Sequence, residues 1–257
     1  MTNTRRLQLV TPWAVALGLF VIWETSCRLF NVAPYVLPRP TLIFKTMYQF
    51  HGQILDHSLH TLFTTFIGFV LAVIGGLLIG LAVGASRFVY IGLYPVMIGF
   101  NSIPKVALVP VIVIWFGIGT VPAIITACSI AFFPIAVNIA TGLATIEPEM
   151  RDVLRSLGAT RWEILTKVGI PRSMPYLFAS LKIAITLSFI GSVISETIAS
   201  NKGIGYLMLS ASSRFDVPLV FAGLVVVGAM GIAMYAICVV VEQRMTRWAF
   251  RSQELVG

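Results

Sequence analysis

Long apolar runs separated by short polar segments dominate the pattern of this chain. A helix needs about 20 mostly apolar residues to cross the roughly 30 Å hydrocarbon core of a bilayer. Six segments meet this requirement, at residues 10–30, 58–85, 90–118, 120–144, 175–200 and 217–241. The pattern therefore predicts an all-α, polytopic membrane helical bundle with about six transmembrane helices.

The composition excludes a soluble protein. Of the 257 residues, 58% are hydrophobic and 11% are charged, with a mean hydropathy of +0.93. Soluble domains have about 25% charged residues. Cys27, Cys128 and Cys238 each lie in an apolar run without a CxxC pair, so we interpret them as small buried side chains. His57 and His60 have too few neighbouring ligands to predict a metal site.

The net charge of +8 predicts orientation rather than nucleic-acid binding. Lys and Arg accumulate on the cytoplasmic side of membrane proteins. With the N-terminus inside, eleven basic residues fall on the cytoplasmic side and five fall outside. We therefore expect both termini, and the polar loop at residues 145–175, to face the cytoplasm.

The third predicted span is interrupted. Residues 101–105 read Asn-Ser-Ile-Pro-Lys, and Pro104 removes a backbone donor. We expect either a kink or an interfacial elbow followed by a shorter span. Broken helices line water-filled paths in transporters, although a proline kink can also simply ease packing. The residues predicted to line a translocation path are Asn101, Ser102, Lys105 and Glu196.

Each of the charged candidates has a second interpretation. Lys105 is the best candidate for attracting an anion, but it also lies close enough to the inner surface to extend there. Glu196 lies near the outer end of the fifth span, where it either lines the path or contacts Lys202 or an external protein. Lys182 can extend to the cytoplasmic side. Glu24 and Arg28, four residues apart, predict a structural ion pair.

Small residues are dense in the second span. Its glycines recur at spacings that place them largely on one helical face, which predicts close packing against another helix. They are Gly68, Gly75, Gly76, Gly80 and Gly84.

The polar loop at residues 145–175 predicts two short helices joined at a fixed corner. The first begins after Glu147 at Pro148, with an apolar stripe of Met150, Val153, Leu154 and Leu157, and Gly158 follows as a left-handed cap. The second begins with the capping box Thr160 to Glu163, extends to about Lys167 and is ended by Pro171. Such a projection is either an amphipathic hairpin on the headgroups or a docking element for a cytoplasmic subunit.

In this loop the chain resembles the membrane subunits of binding-protein-dependent ABC importers. Their cytoplasmic motif is EAA, three residues, Gly, nine residues, then I-x-L-P. This chain has Asp152-Val153-Leu154, then Gly158, and Val168-Gly169-Ile170-Pro171 at the matching spacing. Asp replaces Glu, and the small Ala pair is lost. Residues 103–119, 195–208 and 241–248 resemble the nitrate/sulfonate/taurine-type branch.

The resemblance implies a division into an N-terminal helix and external loop (1–56), an importer transmembrane domain (57–250) and a cytoplasmic tail (251–257). It implies two copies of the permease, two ATPase subunits that bind ATP and Mg²⁺, and an external binding protein that delivers a small solute. This chain itself would bind no cofactor or metal and have no catalytic residues. The residues implied in ATPase coupling are Asp152, Gly158, Ala159, Thr160, Arg161, Trp162, Glu163, Ile164 and Pro171, with a coupling helix at about 159–166.

Two other classes of function compete with an importer subunit. A proton-coupled secondary carrier would use Glu24 or Glu196, but it would need no capped cytoplasmic projection. An intramembrane enzyme would need a nucleophile or metal motif, and the sequence has neither Gly-x-Ser-x-Gly nor His-Glu-x-x-His. It also lacks a phosphate-binding Gly-x-x-x-x-Gly-Lys-Ser/Thr loop, so we expect ATP hydrolysis in a separate chain.

Overall fold

A computed structural model describes residues 2–144 and 148–245, which are helical throughout apart from short connections. The predicted tail at 251–257 and Glu147 lie outside the described residues. In chain order the helices are α1 (Thr2–Leu29), α2 (Pro40–Gln49), α3 (His51–Ala85), α4 (Arg87–Ser102), α5 (Val109–Phe116), α6 (Thr120–Ala144), α7 (Pro148–Ser156), α8 (Arg161–Ile164), α9 (Ile170–Ala199), α10 (Ile204–Ser213) and α11 (Val217–Met245).

Four continuous helical segments in the described part of the chain are long and apolar enough to cross a membrane. They are His51–Ala85, Thr120–Leu143, Trp162–Ala199 and Val217–Met245, and the bent pair formed by α4 and α5 adds a fifth. α1 is a continuous helix over the predicted first span. Its apolar side chains from Val15 to Ile22 are largely exposed, as expected for a surface that faces lipid. The all-α membrane bundle is confirmed.

The core of the bundle consists of α3, α6 and α9. Small side chains allow these helices to approach closely, and Ala72, Ala131 and Ala184 are fully buried between them. The predicted glycine face of α3 lies against α6. A Cβ added at Gly68 would lie 2.6 Å from the Ala127 Cβ, and one at Gly84 would lie 2.8 Å from Leu143. Because lipid provides no hydrophobic drive between helices, this close packing stabilises the bundle.

The third predicted span is a broken helix. The axes of segments Phe88–Ser102 and Lys105–Phe116 differ by 79°, with a short 3₁₀ turn at Lys105–Leu108 after the break. Pro104 has an extended backbone, as its missing N–H and fixed ring favour at a helix boundary. The expected interruption is therefore present as a sharp elbow.

A second apolar cluster lies where α2, α10 and the start of α11 meet the beginning of α3. It includes Ile43, Ile54, Ile204, Leu207 and Leu219, all of them buried.

The predicted Glu24–Arg28 ion pair is also present, with 2.7 Å between Oε1 and Nε. Glu24 additionally accepts hydrogen bonds from the backbone N–H and hydroxyl of Thr41, so it joins α1 to α2.

The glycine face generates a direct prediction. In Gly80→Ala the new Cβ would lie 2.8 Å from the Ala136 carbonyl oxygen, which belongs to helix backbone and cannot move cheaply. We expect a loss of about 1–3 kcal/mol, as for other overpacked interiors. Thermal unfolding of the purified protein in detergent measures it.

Gly52→Ala is the matched control, because Gly52 lies in the same helix and a Cβ added there would have no atom within 4 Å. Alanine at this position should be neutral or slightly stabilising, given its higher helix propensity. Equal melting temperatures for the two variants would contradict the packing described for α3 and α6.

Candidate functional site

The corner between α7 and α8 is built by a C-terminal cap on α7. Gly158 has φ +86, in the left-handed region that favours glycine. The Ala159 N–H donates to the Leu154 carbonyl and the Gly158 N–H donates to the Arg155 carbonyl, at 3.0 and 2.9 Å. These two bonds form a Schellman motif, which satisfies the last carbonyls of the helix and fixes the direction of the chain. The predicted cap is confirmed.

The capping box at the start of α8 is also present. The Glu163 N–H donates to Thr160 Oγ1 at 3.2 Å, and the Thr160 N–H and hydroxyl donate to Glu163 Oε2 at 2.9 and 2.8 Å. Lys167 Nζ lies 3.6 Å from the other carboxylate oxygen. Two capped helix ends therefore meet across a short connection, which leaves the corner little freedom to bend.

The prediction that Pro171 ends the second helix is wrong. α8 is followed by a π-helical turn at Leu165–Gly169, in which the Ile170 N–H donates to the Leu165 carbonyl, and α9 continues directly through Pro171. The wider turn changes the hydrogen-bond register just before the proline, whose ring would otherwise crowd the preceding turn. The coupling segment predicted at 159–166 is thus the first part of a helix that reaches Ala199.

The loop presents apolar side chains outward. Val153, Leu157 and Trp162 are 58, 78 and 70% exposed, whereas Ile164 is buried. A cleft of about 270 Å³ lies at the corner between Leu157, Gly158 and Val168. Val153 and Leu157 belong to the apolar stripe that the sequence predicted on α7, and they are its exposed members.

The other residues predicted for ATPase coupling lie near these apolar side chains in the chain. Asp152 is exposed, and its Oδ1 lies 3.9 Å from Arg155 Nη1. Ala159 is half-buried at the corner. Arg161 is placed by its backbone as the first residue of α8. The coupling residues predicted from sequence are therefore consecutive on one projection, except Asp152 on α7 and Pro171 in the first turn of α9.

The residues predicted to line a path at the broken helix lie together. Asn101 and Lys105 contact a cavity of about 160 Å³ that is also lined by Phe100, Phe132 and Phe133. The Lys105 ammonium donates to the carbonyls of Phe100, Asn101 and Ile103 at 2.9, 2.9 and 3.1 Å, so it caps the end of α4. Ser102 donates to the Ile98 carbonyl. Lys105 thus has a structural role in closing the elbow.

Glu196 is fully buried between α3, α9 and α10. Its Oε2 accepts hydrogen bonds from Thr61 Oγ1 at 2.8 Å and the Gly205 N–H at 3.2 Å, and its Oε1 accepts one from Thr64 Oγ1 at 3.3 Å. His60 Nδ1 lies 3.6 Å from Oε1. Glu196 therefore contacts the bundle itself, and no ion pair with Lys202 is found among the described residues.

Glycines allow the loop before α10 to close over this carboxyl group. Gly203 has φ +99, and a Cβ there would overlap the Glu196 side chain. The Gly203 N–H donates to His57 Nδ1 at 3.0 Å, and the Ile204 N–H donates to Thr61 Oγ1 at 2.9 Å. Sequence reasoning missed these partners. The available signal was a run of Ser and Thr in the second span, which is unusual in a segment otherwise rich in Leu, Ile and Gly.

Lys182 forms an ion pair near the inner end of α11, and its extension to the cytoplasmic side stays a prediction. Its Nζ lies 2.7 Å from Glu242 Oε2 on α11, and the two side chains are only 25 and 13% exposed. The carboxylate gives the ammonium group a partner inside the protein. The described residues contain no cluster of three or more His, Cys, Asp or Glu that could hold a metal ion.

Comparison with protein families gives a match across most of the chain. Residues 72–247 match the family described as the binding-protein-dependent transport system inner membrane component. The chain belongs to this family. It is the permease type of subunit found in ABC importers, and the resemblance seen in the motif at 152–171 is confirmed.

Curated relatives of this permease transport different solutes. It is 30% identical to a formylaminopyrimidine transport permease of Halalkalibacterium halodurans, over 95% of this chain and 98% of that protein. A riboflavin permease of Chloroflexus aurantiacus is 31% identical over 90% of this chain and 87% of its own length. The taurine permease of Escherichia coli is 26% identical over 90 and 86%.

Solved structures share the fold. A methionine ABC transporter in inward-facing conformations aligns with a TM-score of 0.68 and 18% identity, covering 76% of this permease and 97% of that chain. An amino acid ABC transporter structure aligns with a TM-score of 0.62 at the same identity, covering 79 and 98%.

The buried Glu196 site generates the second prediction. Glu196→Ala leaves the buried Gly205 N–H without its acceptor, which costs roughly 1–3 kcal/mol, while the Thr61 and Thr64 hydroxyls still reach the carbonyls of His57 and His60. We expect the melting temperature in detergent to fall by about 5 °C or more. Glu196→Gln keeps an acceptor oxygen and should lose less.

Glu149→Ala is the control, since Glu149 is an exposed acid in α7. It should melt like the unaltered protein. An unchanged melting temperature for Glu196→Ala would show that this network does not hold α10 in place.

Proposed function

We propose that this chain forms half of the translocation path of an ATP-driven importer. Two copies would enclose the path, and two cytoplasmic ATPase subunits, which bind ATP and Mg²⁺, would dock on the loop at residues 148–169. An external binding protein would deliver the solute. The chain would lie in the bacterial inner membrane with both termini in the cytoplasm, as its distribution of basic residues supports.

One observation carries this proposal: the capped corner is continuous with a membrane-spanning helix. The Schellman motif at Gly158 and the box between Thr160 and Glu163 hold the corner, and the π turn links it to α9 without a loop. A rigid element of this kind transmits a displacement from the ATPase into the membrane. A flexible connection would absorb it.

The outward-facing side chains favour docking onto a protein partner over an amphipathic hairpin that lies on the lipid headgroups. Leu157 and Trp162 are exposed, and Leu157 lines a cleft together with the ion-paired Glu163 and Lys167. Apolar anchors with a charged rim are typical of the centre of a protein interface. The ATPase surface would cover these side chains.

The solute is proposed to be a small organic or inorganic anion such as a sulfonate or nitrate. Taurine and aliphatic sulfonate permeases are among the relatives of this chain. Lys105 and Asn101 lie beside the cavity at the broken helix, which at about 160 Å³ is large enough for a small solute. The lining of the cavity is mostly apolar, and the Lys105 ammonium, which caps α4, brings positive charge to its edge.

The corner supplies the third prediction. Gly158→Trp places a bulky residue at φ +86, which costs roughly 1–2 kcal/mol for an L-residue and changes the direction of the corner. No atom lies within 4 Å of the added Cβ, so the fold itself should remain. We expect ATP-driven uptake to fall about tenfold, the rate factor that corresponds to roughly 1.4 kcal/mol.

Gly158→Asn is the matched control, because asparagine tolerates the left-handed conformation. It should retain most uptake at equal amounts of protein in the membrane. Uptake by Gly158→Trp at the level of the unaltered protein would show that this corner does not couple the ATPase to the path.

A further inference from the structure

The Lys182–Glu242 ion pair joins α9 to α11 near the inner end of the bundle. Lys182 is twelve residues beyond Ile170, which is about 18 Å along α9 at 1.5 Å per residue. Its ammonium and the Glu242 carboxylate are 2.7 Å apart and mostly buried. Burying a charge is costly unless it is paired, so this pair marks a specific contact between two helices. Neither residue belongs to the predicted coupling or path residues.

In the described part of the chain, the buried side chains of α11 all lie in its outer half. The outer half packs well, through Leu219 and Ala222 in the cluster with α10. Further along, a groove of about 590 Å³ separates α11 from α3 and α9, and it is lined by apolar side chains such as Phe66, Phe178 and Met234. The ion pair lies directly after this groove, so it closes the inner end of an otherwise open contact.

Lys182 connects the ion pair to the predicted coupling segment, because it lies on α9. α9 is the continuation of the coupling segment, and residues 162–199 form one helical segment. Lys182 lies on the same helical segment as the corner, beyond the π turn and Pro175, so a displacement of the corner reaches it through the backbone of that segment. Glu242 is three residues before the end of α11. A charge-assisted contact between two mostly buried side chains resists separation.

We propose that the Lys182–Glu242 pair fastens α11 to the coupling lever, so that both helices move as one body during the transport cycle. This inference rests on the proposed function of the 148–169 loop. It makes Lys182 and Glu242 positioning residues, which act through helix placement and not through contact with the solute. A purely stabilising pair would instead be replaceable by an uncharged pair of similar size.

Pulsed electron paramagnetic resonance tests this directly. Spin labels are attached to cysteines at Ala179 and Val240, both exposed, after the native cysteines are replaced by alanine. Labelled chains are diluted with an excess of unlabelled chains, so that a complex carries labels on one copy, and the complex is measured in nanodiscs without nucleotide and after trapping with Mg-ATP and vanadate. We expect one narrow distance peak for the native pair, at the same distance in both states.

Three variants separate the proposal from a structural role. We expect the narrow peak to be lost after trapping in the uncharged double variant, Lys182→Met with Glu242→Gln. It should also be lost in the single variant Lys182→Met. Lys182→Glu with Glu242→Lys, which restores opposite charges, should recover it. A narrow and unchanged peak in the uncharged double variant would overturn the proposal, and so would a native distance that changes on trapping.

Failure of the proposed function would be visible separately. If no ATP-binding subunit co-purifies, the trapped state cannot be prepared and the importer assignment is what fails. The nucleotide-free comparison still tests the contact: the uncharged pair should broaden the distribution, and the reversed pair should narrow it again. An uncharged double variant as narrow as the native protein would overturn the role of the ion pair in that case also.

Discussion

Backbone continuity from Trp162 to Ala199 is the constraint on which the rest of the structure depends. This one segment begins at the capped corner, passes the π turn, packs against α3 and α6, and ends beside the buried Glu196. The segment continues across two irregularities, the π turn and Pro175, which lacks a backbone donor. We expect it to pass a movement of the cytoplasmic corner to the core, because α9 packs against both α3 and α6.

Three charged side chains join neighbouring helices of the bundle. Glu24, Glu196 and Lys182 are each satisfied by partners on a neighbouring helix, which are Thr41, the Thr61–Thr64–Gly205 group and Glu242. An unpaired charge would be very costly in lipid, so these groups specify which helices lie side by side. The glycine face of α3 acts similarly through shape, because α6 approaches it closely.

Local sequence signals predicted much of this structure. The Gly158 cap, the Thr160–Glu163 box and the Glu24–Arg28 pair depend on residues close in the chain, so their spacing was sufficient. The continuation through Pro171 was not predictable from a rule about prolines, because it depends on a π turn that changes the register just before it.

Side-chain contacts between segments far apart in the chain could not be predicted from the sequence. Thr61 lies 135 residues from Glu196 along the chain, and Glu242 lies on a different helix from Lys182. Contacts of this kind follow from tertiary packing, which no local spacing rule describes. The residues at the elbow were singled out because Pro104 marks the break, whereas the capping role of Lys105 depends on how sharply the chain turns there.

We propose that this permease works within an ATP-driven complex assembled on its cytoplasmic corner. Native mass spectrometry of the complex, purified from its own membranes through a tag on this chain, is the decisive test. We expect two copies of this chain with two ATP-binding subunits. A lone monomer or dimer that still catalyses proton-driven uptake without ATP would contradict it.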